Sequence, residues 1–314
     1  MFITRNVLIG ILGVPATGAA APTYNWILSA GGSGSNDGSV STATYRYTLD
    51  TASVTTDTAL TTAVFNAGAF GDQTSGWVVG GYTGSANATQ NKKYTNSSGA
   101  MSTSNSSTTS ITMQNGWKGA CSGTSGYLFG GTFVSTSYKY NIGSNSWAGS
   151  TALAQSTGWH ACHNNDSTAL ISGGYNGSSN LTHQSYWAFS SDTRTTGTAL
   201  SVATRDTTSS GDQTNSYLFC GTTSVHVITV RKLAIASGTE STNFSAQRKC
   251  RFSEGAASDT KGVFTGGYFD DPGPGSTANV YTNEIAWSTD TSSAGTSLPA
   301  SKSQMASYSG AQTA

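Results

Sequence analysis

The chain has 314 residues with 15 Lys and Arg against 15 Asp and Glu, and charged residues make up only 10% of it, well under the roughly 25% of ordinary globular proteins. No basic tract is present to neutralise phosphates, which argues against nucleic acid as a partner. Solubility must come from Ser, Thr and Asn, while 7 Trp, 14 Tyr and 11 Phe, regularly placed, provide for several small cores and speak against disorder.

In chain order, residues 1–22 come first and stand apart. Arg5 precedes an apolar run containing Val7, Leu8, Ile9, Ile11, Leu12 and Val14, then Pro15 and a small-residue stretch ending near Ala21. The pattern fits a secretory signal peptide. It fits equally a retained apolar arm that lies on a neighbouring surface, and the arm is the preferred reading. Gly10, Gly13 and Pro15 make it too short and too broken to span a bilayer.

From residue 24 a unit repeats. WILSAGG, WVVGG, YLFGG, ALISGG, YLFCG and VFTGG each run an apolar strand into a glycine pair; the first glycine falls at 31, 80, 130, 173 and 266, with Cys220 holding that place in the fifth copy. Spacings of this size indicate a solenoid, propeller or array. After each pair comes a polar loop, then a strand with aromatics on alternate residues, as in Tyr45 and Tyr47 or Tyr138 and Tyr140, which places them on one sheet face. Turn residues such as Asn145, Asp192 and Asp290 follow. A Ser/Thr-rich strand is expected around 57–60, 150–153 and 197–200, and then a strand of small residues, as at 67–70 and 119–121. Four strands per unit is the signature of a propeller blade, and no segment carries a helical apolar period. The expected fold is an all-β, six-bladed propeller over 23–314, preceded by the 1–22 arm.

The double glycine, the aromatic strand and a Trp after the turn resemble a kelch repeat, most fully in the third copy with Gly130, Gly131, Tyr140 and Trp147. The resemblance covers residues 24–314 at the level of the repeat. It implies that the stretch at 304–311 supplies the innermost strand of the blade that the glycine-pair strand at 26–30 begins. The loops after the glycine pairs would then share the binding face with the inter-blade loops.

Chemistry is sparse. Cys121, Cys162, Cys220 and Cys250 lie in separate repeats without zinc spacing and read as buried thiols. In the stretch from His160 to His163 only His160 and Cys162 share a strand face, so no metal site is assigned. Glu240, Glu254 and Glu284 fall in different parts of the repeat, no nucleophile motif is present, and no cofactor is implied; the chain reads as non-enzymatic. Contact is the better expectation. Tyr82, Tyr175 and Tyr268 open three of the loops, with Asn87, Asn176 and Asn180 further along two of them. Asp270 and Asp271 mark an acidic one that is either an oxygen-rich cation loop or a rigid Pro/Gly turn. Tyr and Asn suit sugar hydroxyls and protein surfaces alike.

The low-charge, Ser/Thr/Gly/Asn-rich composition is similar to that of bacteriophage fibre, tail and head-decoration proteins, and a kelch-like propeller with so degenerate a repeat resembles those of marine phage virions. That resemblance implies an oligomeric virion or extracellular component docked on other assembly proteins through 1–22, with a host-surface glycan as a possible ligand. The alternative is a secreted carbohydrate-binding or carbohydrate-active propeller whose leader is removed.

Overall fold

The glycine-pair strands are apolar at nearly every position rather than on alternate ones, which is the pattern of a strand covered on both faces. In the computed structural model, Ser75–Val79 and Ser125–Gly130 are buried throughout. Each such strand lies second from the inside in a four-stranded antiparallel sheet. The structure describes residues 26–33, 39–72, 74–103, 111, 114–257, 260–269, 277–278 and 280–309. The arm residues Val7, Leu8, Ile9, Ile11, Leu12 and Val14 and the loop residues Asp270 and Asp271 lie outside these.

Six such sheets are the blades, and no helix occurs among the described residues. From inner to outer strand, blade 2 is Gly68–Gly71, Ser75–Val79, Asn91–Thr95 and Ala100–Met101; blade 3 is Trp117–Cys121, Ser125–Gly130, Ser137–Asn141 and Ser146–Ser150. Blade 4 is Ala161–Asn164, Thr168–Ser172, Gln184–Ala188 and Thr193–Thr196; blade 5 is Thr208–Gly211, Asn215–Phe219, Thr229–Ala234 and Glu240–Ser245. Blade 6 is Glu254–Ala257, Lys261–Thr265, Thr282–Ala286 and Thr291–Ala294, with a small hairpin pairing Tyr268–Phe269 and Thr277–Ala278 after its second strand. Blade 1 joins the two ends of the chain. Ala306–Ser309 is its inner strand, paired with Trp26–Ala30 through Ala30↔Ala306 and Leu28↔Tyr308, followed by Thr44–Thr48 and Ser53–Thr56. The inner strands neighbour one another in sequence order, and Ala306–Ser309 returns to Gly68–Gly71, so the ring is closed as the repeat implied.

The core is a set of wedges between blades. Phe70 and Trp77 of blade 2 stack at 5.4 Å and pack against Trp117, Leu128, Tyr140 and Trp147 of blade 3. Tyr127 and Phe129 of blade 3 meet Ile171, Trp187 and Phe189 of blade 4. Phe219 of blade 5 stacks on Phe264 of blade 6 at 4.2 Å, and Tyr217 on Trp287 at 4.4 Å. The Tyr140 and Trp147 pair that marks the fullest repeat is a cross-strand pair, in register on the third and outer strands with ring centroids 4.8 Å apart.

One boundary differs from the sequence reading. The outer strands end at Thr56, Ser150 and Thr196, and the residues after them already belong to the crossing into the next blade. Leucine is the reason. Leu60, Leu153 and Leu200 are buried, and their N–H groups donate to the carbonyls of Thr42, Ser135 and Thr182 at 2.7–2.9 Å. Burying the leucine pins the chain over the end of its blade instead of along its edge.

Candidate functional site

Every inner strand is reached through one residue in the left-handed backbone region. These residues are Asn66, Gly116, Trp159, Asp206, Phe252 and Gln304, with φ of 53°, 74°, 54°, 57°, 53° and 54°. That conformation turns the peptide groups around the axis. The N–H of Gly116 donates to Asn66, Asn66 to Gln304, Gln304 to Phe252, Phe252 to Asp206 and Asp206 to Trp159, all at 2.8–3.0 Å. A girdle of backbone hydrogen bonds therefore stitches the blades together at one mouth of the axis.

The residue before five of these six pairs with the residue after a glycine pair: Phe65 with Tyr82, Gly158 with Tyr175, Arg205 with Thr222, Arg251 with Tyr268 and Ser303 with Ser33. The sequence-predicted tyrosines thus stand at equivalent positions on the mouth face. Tyr175 is half-buried, stacked on Trp159 at 5.7 Å and edge-on to Phe133 at 5.4 Å, with the Arg205 guanidinium 4.4 Å over its ring. Tyr268 is buried and meets Phe252 edge-on at 6.0 Å, with Arg251 5.6 Å from its ring centre. Trp159 and Phe252 meet at 6.0 Å, which joins the two groups into one patch spanning blades 3 to 6. Tyr82 stands apart with Phe65 at 5.5 Å.

The predicted asparagines shape loops. Asn176 Oδ1 accepts the N–H groups of Ser178 and Ser179 at 2.9 and 2.8 Å, a side-chain-capped turn. Asn180 Nδ2 donates to the Thr222 carbonyl of the next blade at 3.2 Å. Exposed Asn87 accepts from Asn115 Nδ2 at 3.0 Å.

Sequence reasoning missed the residues at the centre of the patch: Phe133, Trp159, Arg205, Asp206, Arg251 and Phe252. A signal was present, because Trp159, Asp206 and Phe252 occupy one position of the repeat. It is visible only once the copies are aligned on their inner strands. Asp206 is the electrostatic focus. Its side chain is 1% exposed, with Oδ2 3.6 Å from Arg205 Nε, 4.0 Å from Arg251 Nη1 and accepting from the Thr222 hydroxyl at 3.1 Å. Oδ1 has no hydrogen-bond partner among the described residues. Burial pushes this carboxyl up to about 6, against the pull of Arg205, Thr222 and Arg251. Desolvation wins because both guanidiniums are long contacts that remain partly in water.

Below the mouth the axis is filled. Lys118 Nζ of blade 3 reaches Glu254 Oε1 of blade 6 at 2.7 Å across it, and the spaces beside this pair are about 10 and 30 Å³, room for a water or two. A separate recess of about 650 Å³ opens at the other face between blades 4 and 5, lined by Tyr186, Thr195, Thr196, Gln213, Thr214 and Ile235 among others, without a charged side chain. His160 is buried with neither ring nitrogen hydrogen-bonded among the described residues. Burial, with Lys118 and His183 nearby, pushes it down to about 3, so it is neutral. Among the described residues no three His, Cys, Asp or Glu side chains converge as a metal would require. Compared with known proteins, the chain matches no family model and no curated sequence.

Proposed function

We propose that this chain is a non-enzymatic structural and interaction protein of an extracellular assembly, a phage virion component of the fibre, tail or head-decoration kind. It docks through residues 1–22 and displays the mouth of a kelch-like propeller for contact with protein or glycan. The observation that carries the reading is the patch of Phe133, Trp159, Tyr175, Arg205, Arg251 and Phe252. Arginine and rigid aromatics dominate the energetics of protein interfaces, and here they are half-buried and held by one another. The axis beneath them is filled by side chains, which suits a surface that touches a partner rather than a cleft that encloses a substrate.

Measurements on the native protein and on two variants test this. The native protein should co-purify with a particle or filament and carry Met1 or Phe2 at its N-terminus by mass spectrometry. Cleavage near Ala21, together with glycan-array binding by the free protein, would replace the reading with a secreted carbohydrate-binding propeller. Trp159→Ala and Arg205→Ala should each weaken capture of the particle or glycan at least tenfold while leaving the far-ultraviolet circular dichroism unchanged. Unaltered capture would remove the mouth from the binding surface.

A further inference from the structure

The six copies of the repeat serve as controls for one another at the first glycine of the pair. In the five copies that keep glycine, a Cβ there would lie 2.3–2.8 Å from the carbonyl oxygen of a residue at the start of the next blade: Val64, Gln114, Thr157, Thr204 or Lys302. All five glycines have positive φ, from 63° to 75°. The fifth copy breaks the rule with Cys220, a non-glycine residue at φ 50°. The corresponding residue at the start of its neighbour is Cys250, whose carbonyl accepts the Gly221 N–H at 3.0 Å, as Val64, Gln114, Thr204 and Lys302 accept theirs. The copy that departs from glycine thus faces the copy that carries cysteine.

We infer that Cys220 and Cys250 are a cross-link site, at which a disulfide joins the second strand of blade 5 to the segment that leads into blade 6. Both side chains are buried in one cluster with Phe219, Phe264 and Trp287. The Cys220 thiol donates to the Arg248 carbonyl at 3.6 Å and the Cys250 thiol to Ser253 Oγ at 3.7 Å; both remain thiols in the structure. Burial first, and then the Cys250 thiol within hydrogen-bonding reach, pushes the Cys220 thiol well up. A thiol in that state is a poor nucleophile, so the pair reacts when the blade 5 and 6 interface opens or before it closes. The oxidant is a small disulfide such as oxidised glutathione. One protein thiolate attacks it, forming a mixed disulfide and releasing one small thiol. The second thiolate attacks the protein sulfur and releases the other. Two protein thiols lose two electrons and two protons, and one small disulfide becomes two thiols.

The cross-link closes a loop of about 30 residues in the unfolded chain. It fixes the segment that carries Arg251 and Phe252, one side of the mouth. The test is to refold the full chain in oxidised or reduced glutathione, map the cysteines by mass spectrometry after alkylation, and melt both forms. The expected result is a Cys220–Cys250 peptide and a melting temperature roughly 5–10 °C above the reduced protein. Oxidation of the folded protein should quicken in mild urea. Cys220→Gly, which restores the glycine of the other copies, and Cys250→Val, the residue of the first copy, should both fold and lose the redox shift. Alkylation of both thiols after oxidative refolding, a bridge to Cys121 or Cys162, or a shift that survives in Cys220→Gly would overturn the proposal.

Discussion

Replacing Lys118 by methionine should destabilise the propeller through the carboxylate it leaves behind. Glu254 is 7% exposed, and burial raises its carboxyl, held back by the ammonium of Lys118 at 2.7 Å. Removing one partner of a buried pair costs about 3–5 kcal/mol, chiefly as an uncompensated charge. Two features place this case at the lower end. Lys118 is 19% exposed, and the adjoining space of about 30 Å³ admits water to the carboxylate. The charge can also be discharged. From an ordinary value of 4.5, protonating a carboxylate costs about 3.4 kcal/mol at pH 7 and about 0.7 kcal/mol at pH 5, at 1.36 kcal/mol per unit. That sets a ceiling on the electrostatic penalty. Lys118→Met should therefore lose about 3 kcal/mol at pH 7, a fall of roughly 6–12 °C in melting temperature for a domain of this size. At pH 5 it should lose about 1 kcal/mol. Lys118→Met/Glu254→Gln should recover most of the loss at pH 7. Chemical denaturation of both proteins at the two pH values is the assay. A pH-independent loss, or a double variant no better than the single, would refute the argument and point to packing of the lysine stem instead.

Other consequences follow from the same geometry. Gly130→Ala places a Cβ 2.7 Å from the Thr157 carbonyl oxygen and 2.8 Å from His160 Cε1 at φ +68°, so it should cost about 2–4 kcal/mol, measured by urea denaturation. His160 is depressed to about 3, so the unfolded chain takes up its proton first as the pH falls below 6.5. Its contribution is whole above 6.5 and is lost as the pH falls toward 3, the loss reaching about 3 kcal/mol by pH 4, and His160→Gln should flatten that limb of the stability curve. Asp206 has the opposite sign. Raised to about 6, it binds a proton in the folded state first, so its penalty is present above 6 and relieved as the pH falls toward 3.8. Asp206→Asn should be at least as stable as the parent at pH 7.5, by about 1–3 kcal/mol, and lose the gain seen on moderate acidification. Deleting residues 300–314 removes the inner strand of blade 1, which touches the inner strands on both sides. Hydrogen exchange should then show cooperative loss of protection across all six blades; loss confined to blade 1 would argue against a ring that stands or falls as one.

Much of this fold is legible in the sequence, and the reason is periodicity. A glycine pair ending an apolar strand recurs six times with one cysteine substitution, and each recurrence constrains the others. Closure was what the kelch resemblance implied for the stretches at 26–30 and 304–311. Boundaries were less legible: the leucines at 60, 153 and 200 look like strand residues until their burial over the blade ends is seen. Asp192 and Asp290 read as turn residues, and both are left-handed with φ 51°. They also accept from Tyr127 and Lys139 and from Tyr217 and Lys232 of the preceding blade at 2.6–3.0 Å, clamps between residues 53–73 positions apart.

The sequence by itself determined the architecture, because strand, turn and repeat are local patterns that the chain must express wherever it folds. It also named Tyr175 and Tyr268, which the structure places on one face. Only the tertiary structure decided which side chains meet there. Trp159, Asp206 and Phe252 are separated by nearly one repeat each along the chain. They become neighbours because left-handed residues at equivalent positions turn six blades toward a common axis, and contacts around a ring depend on that angle rather than on distance in sequence. The same closure sets Lys118 against Glu254, and Cys220 against Cys250, pairs that no local pattern could have matched.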